Sequence, residues 1–218
     1  MAVRALIFDF DGLILETETP AYASWVEIYR EHGRELPLDL WLDYVGREGG
    51  WWDALDHLET LVGPRPDRES IRARRDARKT ELTNAAAEAS GLRDLLGAAT
   101  ALGLKRGVAS SSTSRWVLGH LERLGLLPFF DHVQCREGAL RAKPAPDIYQ
   151  AACDALGVRP DEAIAFEDSR NGLIAARAAG IYCVVVPNEL TALMDLGEAD
   201  LRCDSLADVP LGVLLARP

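Results

Sequence analysis

The segment Val3-Arg-Ala-Leu-Ile-Phe-Asp9 most constrains what this chain can become. It is a short, mostly apolar run that ends in carboxylates, continuing as Phe8-Asp9-Phe10-Asp11-Gly12. Such a run is too short for a helix and reads as a strand buried on both faces, since a strand with one wet face would alternate. The same form recurs at 106–110, which ends in hydroxyls, at 163–168, which ends in Glu167-Asp168, and at 181–186, which stops at Pro187. Helical spacing fills the intervals at 114–124 after Thr113, at 145–156 after Pro144 and at 171–179 before Gly180. Apolar strands alternating with helices predict an α/β fold, a mostly parallel sheet covered on both faces. Ligands bind such sheets outside the carboxyl ends of the strands, where the polar residues of this chain gather.

Residues 16–88 read differently, because no run there resembles a buried strand. Helical candidates lie at 20–32, 38–45, 51–62 and 67–89, separated by Gly33, Gly46, Gly49-Gly50 and Gly63-Pro64. The expected organisation is an α/β core of 1–15 and 89–218, with a small helical domain of 16–88 inserted after the first strand. Leaving the sheet at its acidic end, the insertion should sit over that end as a cap. Between 65 and 79 there are seven Arg or Lys and three Asp or Glu, which predicts a solvated helix face ahead of an anion-binding surface. Trp25, Trp41, Trp51 and Trp52 also fall in the insertion, where filling an aromatic core is the main expectation for most of them.

With 218 residues, the chain is long enough to bury roughly 70 % of its extended surface and needs no staples. Its four Cys form no C-x-x-C pair, and the His at 32, 57, 120 and 132 are scattered, so buried free thiols are expected and no zinc ligand set is recognisable. The formal charge of −10 disfavours nucleic acid or an anionic membrane as partner. No apolar stretch reaches about 18 residues, and the start runs into a patterned segment rather than a signal peptide, so a cytoplasmic location is expected.

Two carboxylates as close as Asp9 and Asp11 repel. The chain tolerates that either where a divalent cation offsets the charge or where one acid holds a proton. One of the pair can then attack an electrophile while the other handles a proton. Taken alone, an Asp-x-Asp near a turn is equally at home on an ordinary surface. Glu167-Asp168 changes the weight, because neighbouring parallel strands would bring four acids into one cleft. Such a cluster needs compensation, and Mg²⁺ suits it, since this ion prefers oxygen ligands and shares its sites with phosphate. Ser110, at a strand end, can donate to a phosphoryl oxygen, whereas Ser111 to Ser114 serve equally well as a helix cap. Of 24 basic residues only 79, 105 and 143 are Lys, and Lys143 stands before Pro144-Ala-Pro-Asp147 at a helix start. A compact point charge there would neutralise acids and hold phosphate.

Together, Asp9-Phe-Asp-Gly-Leu-Ile-Leu-Glu-Thr-Glu18, Val108-Ala-Ser-Ser-Ser112, Lys143-Pro-Ala-Pro-Asp147 and Phe166-Glu-Asp-Ser-Arg-Asn-Gly172 with Ala175-Ala-Arg-Ala-Ala-Gly180 resemble the motifs of the haloacid dehalogenase-like hydrolases. The likeness is greatest to the β-phosphoglucomutase-like and sugar-phosphate phosphatase branch. It runs over nearly the whole chain, with the motifs in the family's order. The resemblance implies a three-layer, Rossmann-like parallel core with a helical cap. It implies an Mg²⁺-dependent phosphomonoester hydrolase acting on a small phosphorylated metabolite, most naturally a sugar phosphate. Asp9 would be the nucleophile that forms an aspartyl-phosphate and Asp11 the acid/base. Ser110, Ser111 and Lys143 would bind phosphate. Asp9, the Asp11 carbonyl, Glu167 and Asp168 would hold the metal. Thr17 resembles a hinge threonine that positions the acid/base, Arg47 an arginine that meets a distal phosphate, and Trp51 falls in the expected substrate-contact loop 46–52.

Two departures from that branch matter. Ala21 stands where the mutases typically present a hinge His, and Glu16-Thr17 replaces the usual Asp-Thr. Losing the His favours hydrolysis over phosphosugar mutase action, which stays as the alternative. A non-enzymatic relative or a receiver-like phosphorylatable switch is the alternative of another class, although a receiver normally lacks so large an insertion. A monomer or weak homodimer is expected.

Overall fold

The computed structural model describes residues 2–44 and 52–216, so Arg47 and Trp51 lie outside the described residues. Six strands form one parallel sheet in the order β3-β2-β1-β4-β5-β6: β1 Ala5–Phe8, β2 Lys105–Ser110, β3 His132–Cys135, β4 Ala163–Glu167, β5 Tyr182–Val185 and β6 Leu201–Arg202. The four apolar runs of the sequence are the four central strands. The two strands that the apolar pattern missed, β3 and β6, are the edges of the sheet, where one flank stays wet and little apolar character is required.

β1 has neighbours on both sides, and its alternate side chains serve two separate cores. Leu6 and Phe8 pack with Leu92, Leu96, Val117, Leu121 and Leu214, which come from helices α5 Leu92–Ala101, α6 Ser114–Arg123 and α9 Leu211–Leu215. Ala5 and Ile7 pack on the other face with Ile148, Ala152, Leu173 and Ala176, from α7 Asp147–Leu156 and α8 Arg170–Ala178. These are the three expected layers. The four cysteines are free and buried within them.

Among the described residues, four helices come between β1 and α5: α1 Glu18–Glu31, α2 Leu38–Tyr44, α3 Ala54–Val62 and α4 Arg68–Ala85. They share a third apolar cluster. Ala21, Trp25, Ile28 and Tyr29 of α1 recur at helical spacing and meet Trp41, Leu55, Leu58 and Ile71. Trp25 and Trp41 are thus core residues of this layer, as the composition of the insertion led us to expect. The Tyr29 hydroxyl donates to the Ala54 carbonyl at 2.7 Å, joining α1 to α3. The chain departs and returns side by side. Leu15 bridges antiparallel to Glu88, and the Ala89 N–H donates to the Ile14 carbonyl at 3.0 Å.

The long basic helix α4 buries only Ile71 and Thr83. Its arginines face acids of neighbouring helices: Arg72 to Asp53 at 2.9 Å, Arg74 to Glu31 at 2.8 Å, Arg78 to Glu27 at 3.0 Å, and Arg68 to Glu59. Most of its arginine charge is paired within the helical layer, in line with a solvated face. Exposed pairs of this kind are screened by solvent and contribute little, so the apolar contact of Ile71 should dominate the attachment of α4. Ile71→Ala is expected to cost about 2–4 kcal/mol in urea unfolding, well above any single Arg→Ala change on the same helix. Among the described residues no helix is long and apolar enough to cross a membrane.

Candidate active site

The site stands at the carboxyl ends of β1, β2 and β4. In the parallel register Phe8 lies beside Phe166, so the next residues, Asp9 and Glu167, stand as neighbours on the same face at the strand ends. Asp168 follows on the turn into α8, whose first turn is capped by the Ser169 hydroxyl accepting from the Gly172 N–H at 3.3 Å. Carboxylate oxygens of Asp9, Glu167 and Asp168 all fall within 4.8 Å of one another, and all three side chains are buried.

Lys143 enters this cluster from the loop before α7, with its side chain only 5 % exposed. Its Nζ donates to Asp9 Oδ1 and, at 2.6 Å, to Glu167 Oε1, which also accepts from the Tyr149 hydroxyl at 2.6 Å. Three carboxylates therefore face one ammonium. The second oxygen of Glu167 is buried without a hydrogen-bond partner. A Cβ on Gly172 would collide with the Glu167 carboxylate, so glycine is required there to leave it room. Gly12, at φ +83°, likewise leaves space for Asp168, whose Oδ2 accepts from Asn188 Nδ2 at 2.9 Å.

The electrostatics follow from burial. Desolvation pushes the Asp9 carboxyl up to about 8; the Lys143 charge opposes the rise and the Glu167 and Asp11 charges reinforce it. Asp168 is held well above the ordinary carboxylate range by burial and by the charges of Asp9 and Glu167. Burial alone would lower the Lys143 ammonium, but the adjacent Asp9 and Glu167 carboxylates outweigh it and raise the group. Glu18, in the first turn of α1, is pushed up to about 7 by burial and by the charge of Asp11.

Asp11 is placed apart from the cluster. Its carboxylate accepts from Ser112 Oγ at 2.6 Å, Trp116 Nε1 at 2.8 Å and, more distantly, Ser110 Oγ at 3.5 Å. Of the sequence-predicted residues, Asp9, Glu167, Asp168 and Lys143 share one cluster, and Ser110 lies beside Asp11. The side chain of Asp11 is not among the clustered carboxylates, and the Ser111 hydroxyl accepts the Lys143 backbone N–H at 3.1 Å, a structural tie that seats the Lys143 loop. Thr17 is buried beside the chain crossing, its hydroxyl without a partner.

Sequence reasoning passed over Ser112 as a distinct partner, and Tyr149, Asn188 and Trp116 altogether. A signal existed for the last: of five tryptophans, Trp116 alone lies outside 16–88. Tyr149 and Asn188 carried none, since each reaches the site from an element distant in sequence.

Comparison with known proteins agrees with this geometry. The family profile of haloacid dehalogenase-like hydrolases matches residues 3–180. The chain belongs to the haloacid dehalogenase-like hydrolases. It is 42 % identical over 213 residues to YhcW of Bacillus subtilis, an alignment that covers 98 % of this chain and 96 % of that one. It is 30 % identical over 207 residues to a phosphorylated carbohydrates phosphatase of Thermotoga maritima, covering 91 % and 94 % of the two chains. The crystal structure of CbbY from Rhodobacter sphaeroides in complex with xylulose-(1,5)bisphosphate superposes with a TM-score of 0.74 at 27 % identity, covering 95 % of this chain and 96 % of that one. Like its family, this chain is an enzyme, with the fold and the acidic cluster of a phosphatase.

A raised folded-state pKa has a definite consequence for stability. The unfolded Asp9 releases its proton near 3.8, whereas the folded one keeps it to about 8. Between those values the native state binds the extra proton, so stability contributed by protonated Asp9 is present at low pH and lost as pH rises. The Tm of EDTA-treated protein is expected to fall between about pH 5 and about pH 8, and the fall should flatten in Asp9→Asn. Differential scanning calorimetry across that range checks both.

Proposed function

We propose that this hydrolase cleaves a small phosphomonoester, a sugar phosphate, in an Mg²⁺-dependent reaction through an aspartyl-phosphate. The observation that carries the reading is the cluster of three buried carboxylates with a single ammonium and an orphaned Glu167 oxygen. With three carboxyl groups crowded against one ammonium in a dry site, Asp9 and Asp168 hold on to protons, and a hard, oxygen-loving dication matches the charge they would carry once those protons leave. Asp9, Glu167 and Asp168, with the Asp11 carbonyl, would hold that ion, which when bound supplies charge neutralisation for the transferring phosphoryl group.

In this reading an Asp9 carboxylate oxygen attacks phosphorus. The bond from phosphorus to the ester oxygen breaks, and Asp11 gives that oxygen a proton. Asp11 then takes a proton from water as the water displaces Asp9, returning the free carboxylate and inorganic phosphate. Lys143 and Ser110 hold the phosphoryl oxygens, and Ser111 keeps the Lys143 loop in place. The division into a core of 1–15 and 89–218 and a cap of 16–88 belongs to the same reading, with the helical layer closing over the acidic end of the sheet. Xylulose-(1,5)bisphosphate, bound in CbbY, and the phosphorylated carbohydrates named for the Thermotoga maritima relative support a sugar phosphate as the substrate class. Ala21 supports hydrolysis over mutase action: it is buried on α1 in the apolar cluster of the helical layer and provides no proton carrier.

Phosphate release from a panel of sugar and polyol phosphates tests the reading. Release should require Mg²⁺, stop with EDTA and be abolished by Asp9→Asn, which removes charge at nearly constant volume. Retained Mg²⁺-dependent turnover above about one per cent of wild type in that variant would overturn the nucleophile assignment. Lys143→Ala is expected to weaken inhibition by inorganic phosphate at least about tenfold, read as a rise in the inhibition constant, because a charge-assisted partner of the phosphoryl oxygens is lost.

A further inference from the structure

The indole of Trp116 touches the side chain to which the reaction above assigns proton transfer. Trp116 Nε1 lies 2.8 Å from Asp11 Oδ1, while Ser112 Oγ lies 2.6 Å from Asp11 Oδ2. The two donors arise from one short stretch, the loop after β2 and the first turn of α6, and they engage both oxygens of the same carboxylate. A carboxyl on a short side chain, gripped at both oxygens, has little rotational freedom left.

The ring that supplies the N–H is itself fixed on more than one side. His120, one turn further along α6, meets it edge to face with centroids 4.3 Å apart and planes at 73°. The Lys79 ammonium, from α4 in the helical layer, lies 4.7 Å from the ring centroid. The indole also packs against the apolar core on the α5 and α6 face of the sheet. An N–H held in this way aims at one point in space. The Asp11 carboxylate is not among the members of the Asp9, Glu167 and Asp168 cluster.

We propose that Trp116 is a positioning residue for Asp11, its indole N–H orienting the carboxyl group that passes the proton to the leaving oxygen. The inference rests on the assignment of Asp11 as acid/base. It adds a residue that makes no contact with the clustered carboxylates and that the family resemblance did not bring forward. Loss of the N–H leaves Asp11 with Ser112 and the distant Ser110 as partners, so the carboxyl samples orientations in which its proton does not face the leaving oxygen.

Leaving groups separate this role from a structural one. An alkoxide needs a proton as it departs, and p-nitrophenolate does not, so only the alkyl ester should notice a misplaced acid. Trp116→Phe keeps the ring, its packing and its contact with Lys79 while deleting the N–H. Its kcat/KM is expected to fall about tenfold on an alkyl phosphate such as glucose 6-phosphate or glycerol phosphate, and less than about threefold on p-nitrophenyl phosphate. Ser112→Ala, which removes the other strong donor with little change in packing, should show the same selectivity and serves if Trp116→Phe fails to fold. Equal loss on both ester classes, or no loss on either, would overturn the proposal. Asp11→Asn, run in parallel, keeps the two assignments apart. If it lowers kcat/KM, which reports the step that expels the leaving group, equally for both esters or leaves it unchanged for both, the assignment of Asp11 as the acid fails. If it is selective for the alkyl ester while Trp116→Phe is not, the role of Trp116 alone fails.

Discussion

The contact of the Lys143 ammonium with Asp9 and Glu167 is the interaction on which the rest of the site depends. Parallel pairing of β1 with β4 forces two acids onto one face at one end of the sheet, and the helices that cover that face exclude water. Two like charges in such a place would be expelled or protonated without a counter-charge. Lys143 supplies it from a loop seated by the Ser111 hydroxyl and followed by α7, whose Tyr149 donates to the same Glu167 oxygen. Folding the sheet, closing α7 over it and seating the lysine are therefore one event in energetic terms. Asp9 and Asp168 resist ionisation in this setting, and a bound cation that stabilised their carboxylate forms would take the place of the protons they hold.

Small residues around the cluster complete the arrangement. Gly172 and Gly12 are positions where a methyl group would occupy the space of Glu167 or Asp168, so the acids approach one another because their neighbours lack side chains. The layer of helices after β1 obeys a different logic. Its interior is an aromatic and aliphatic cluster around Trp41, Tyr29 and Ile71, and its basic helix spends its arginines on nearby acids. Little of that charge is left to act as a general anion trap, and the cation that reaches toward the site from α4 is Lys79, over the ring of Trp116.

The sheet and the acids were legible in the chain because each has a local cause. A strand buried on both faces must be apolar throughout, and a carboxylate at its end is visible by contrast; β1, β2, β4 and β5 announce themselves in this way. β3, His132–Cys135, did not, because an edge strand is permitted His and Gln on positions that stay partly wet. β6 is two residues long and carries no pattern to read. Asp9, Glu167, Asp168 and Lys143 were found from residue type and position at element ends, whereas Tyr149 and Asn188 are ordinary polar residues until the fold brings them within 3 Å of a carboxylate.

The amino-acid sequence by itself determined an α/β fold with its acids at strand ends, because periodicity and residue chemistry act over a few neighbouring positions, and the resemblance of its motifs implied a haloacid dehalogenase-like hydrolase. Only the tertiary structure decided which acids share a cluster. Register placed Glu167 beside Asp9, while hydrogen bonds from Ser112 and Trp116 drew the Asp11 carboxylate to the other side, although it stands two residues from Asp9 in the chain. The physical reason is that a side chain's partners are set by what packs against its element, and α6, α7 and the loop bearing Asn188 arrive there only when the sheet is complete.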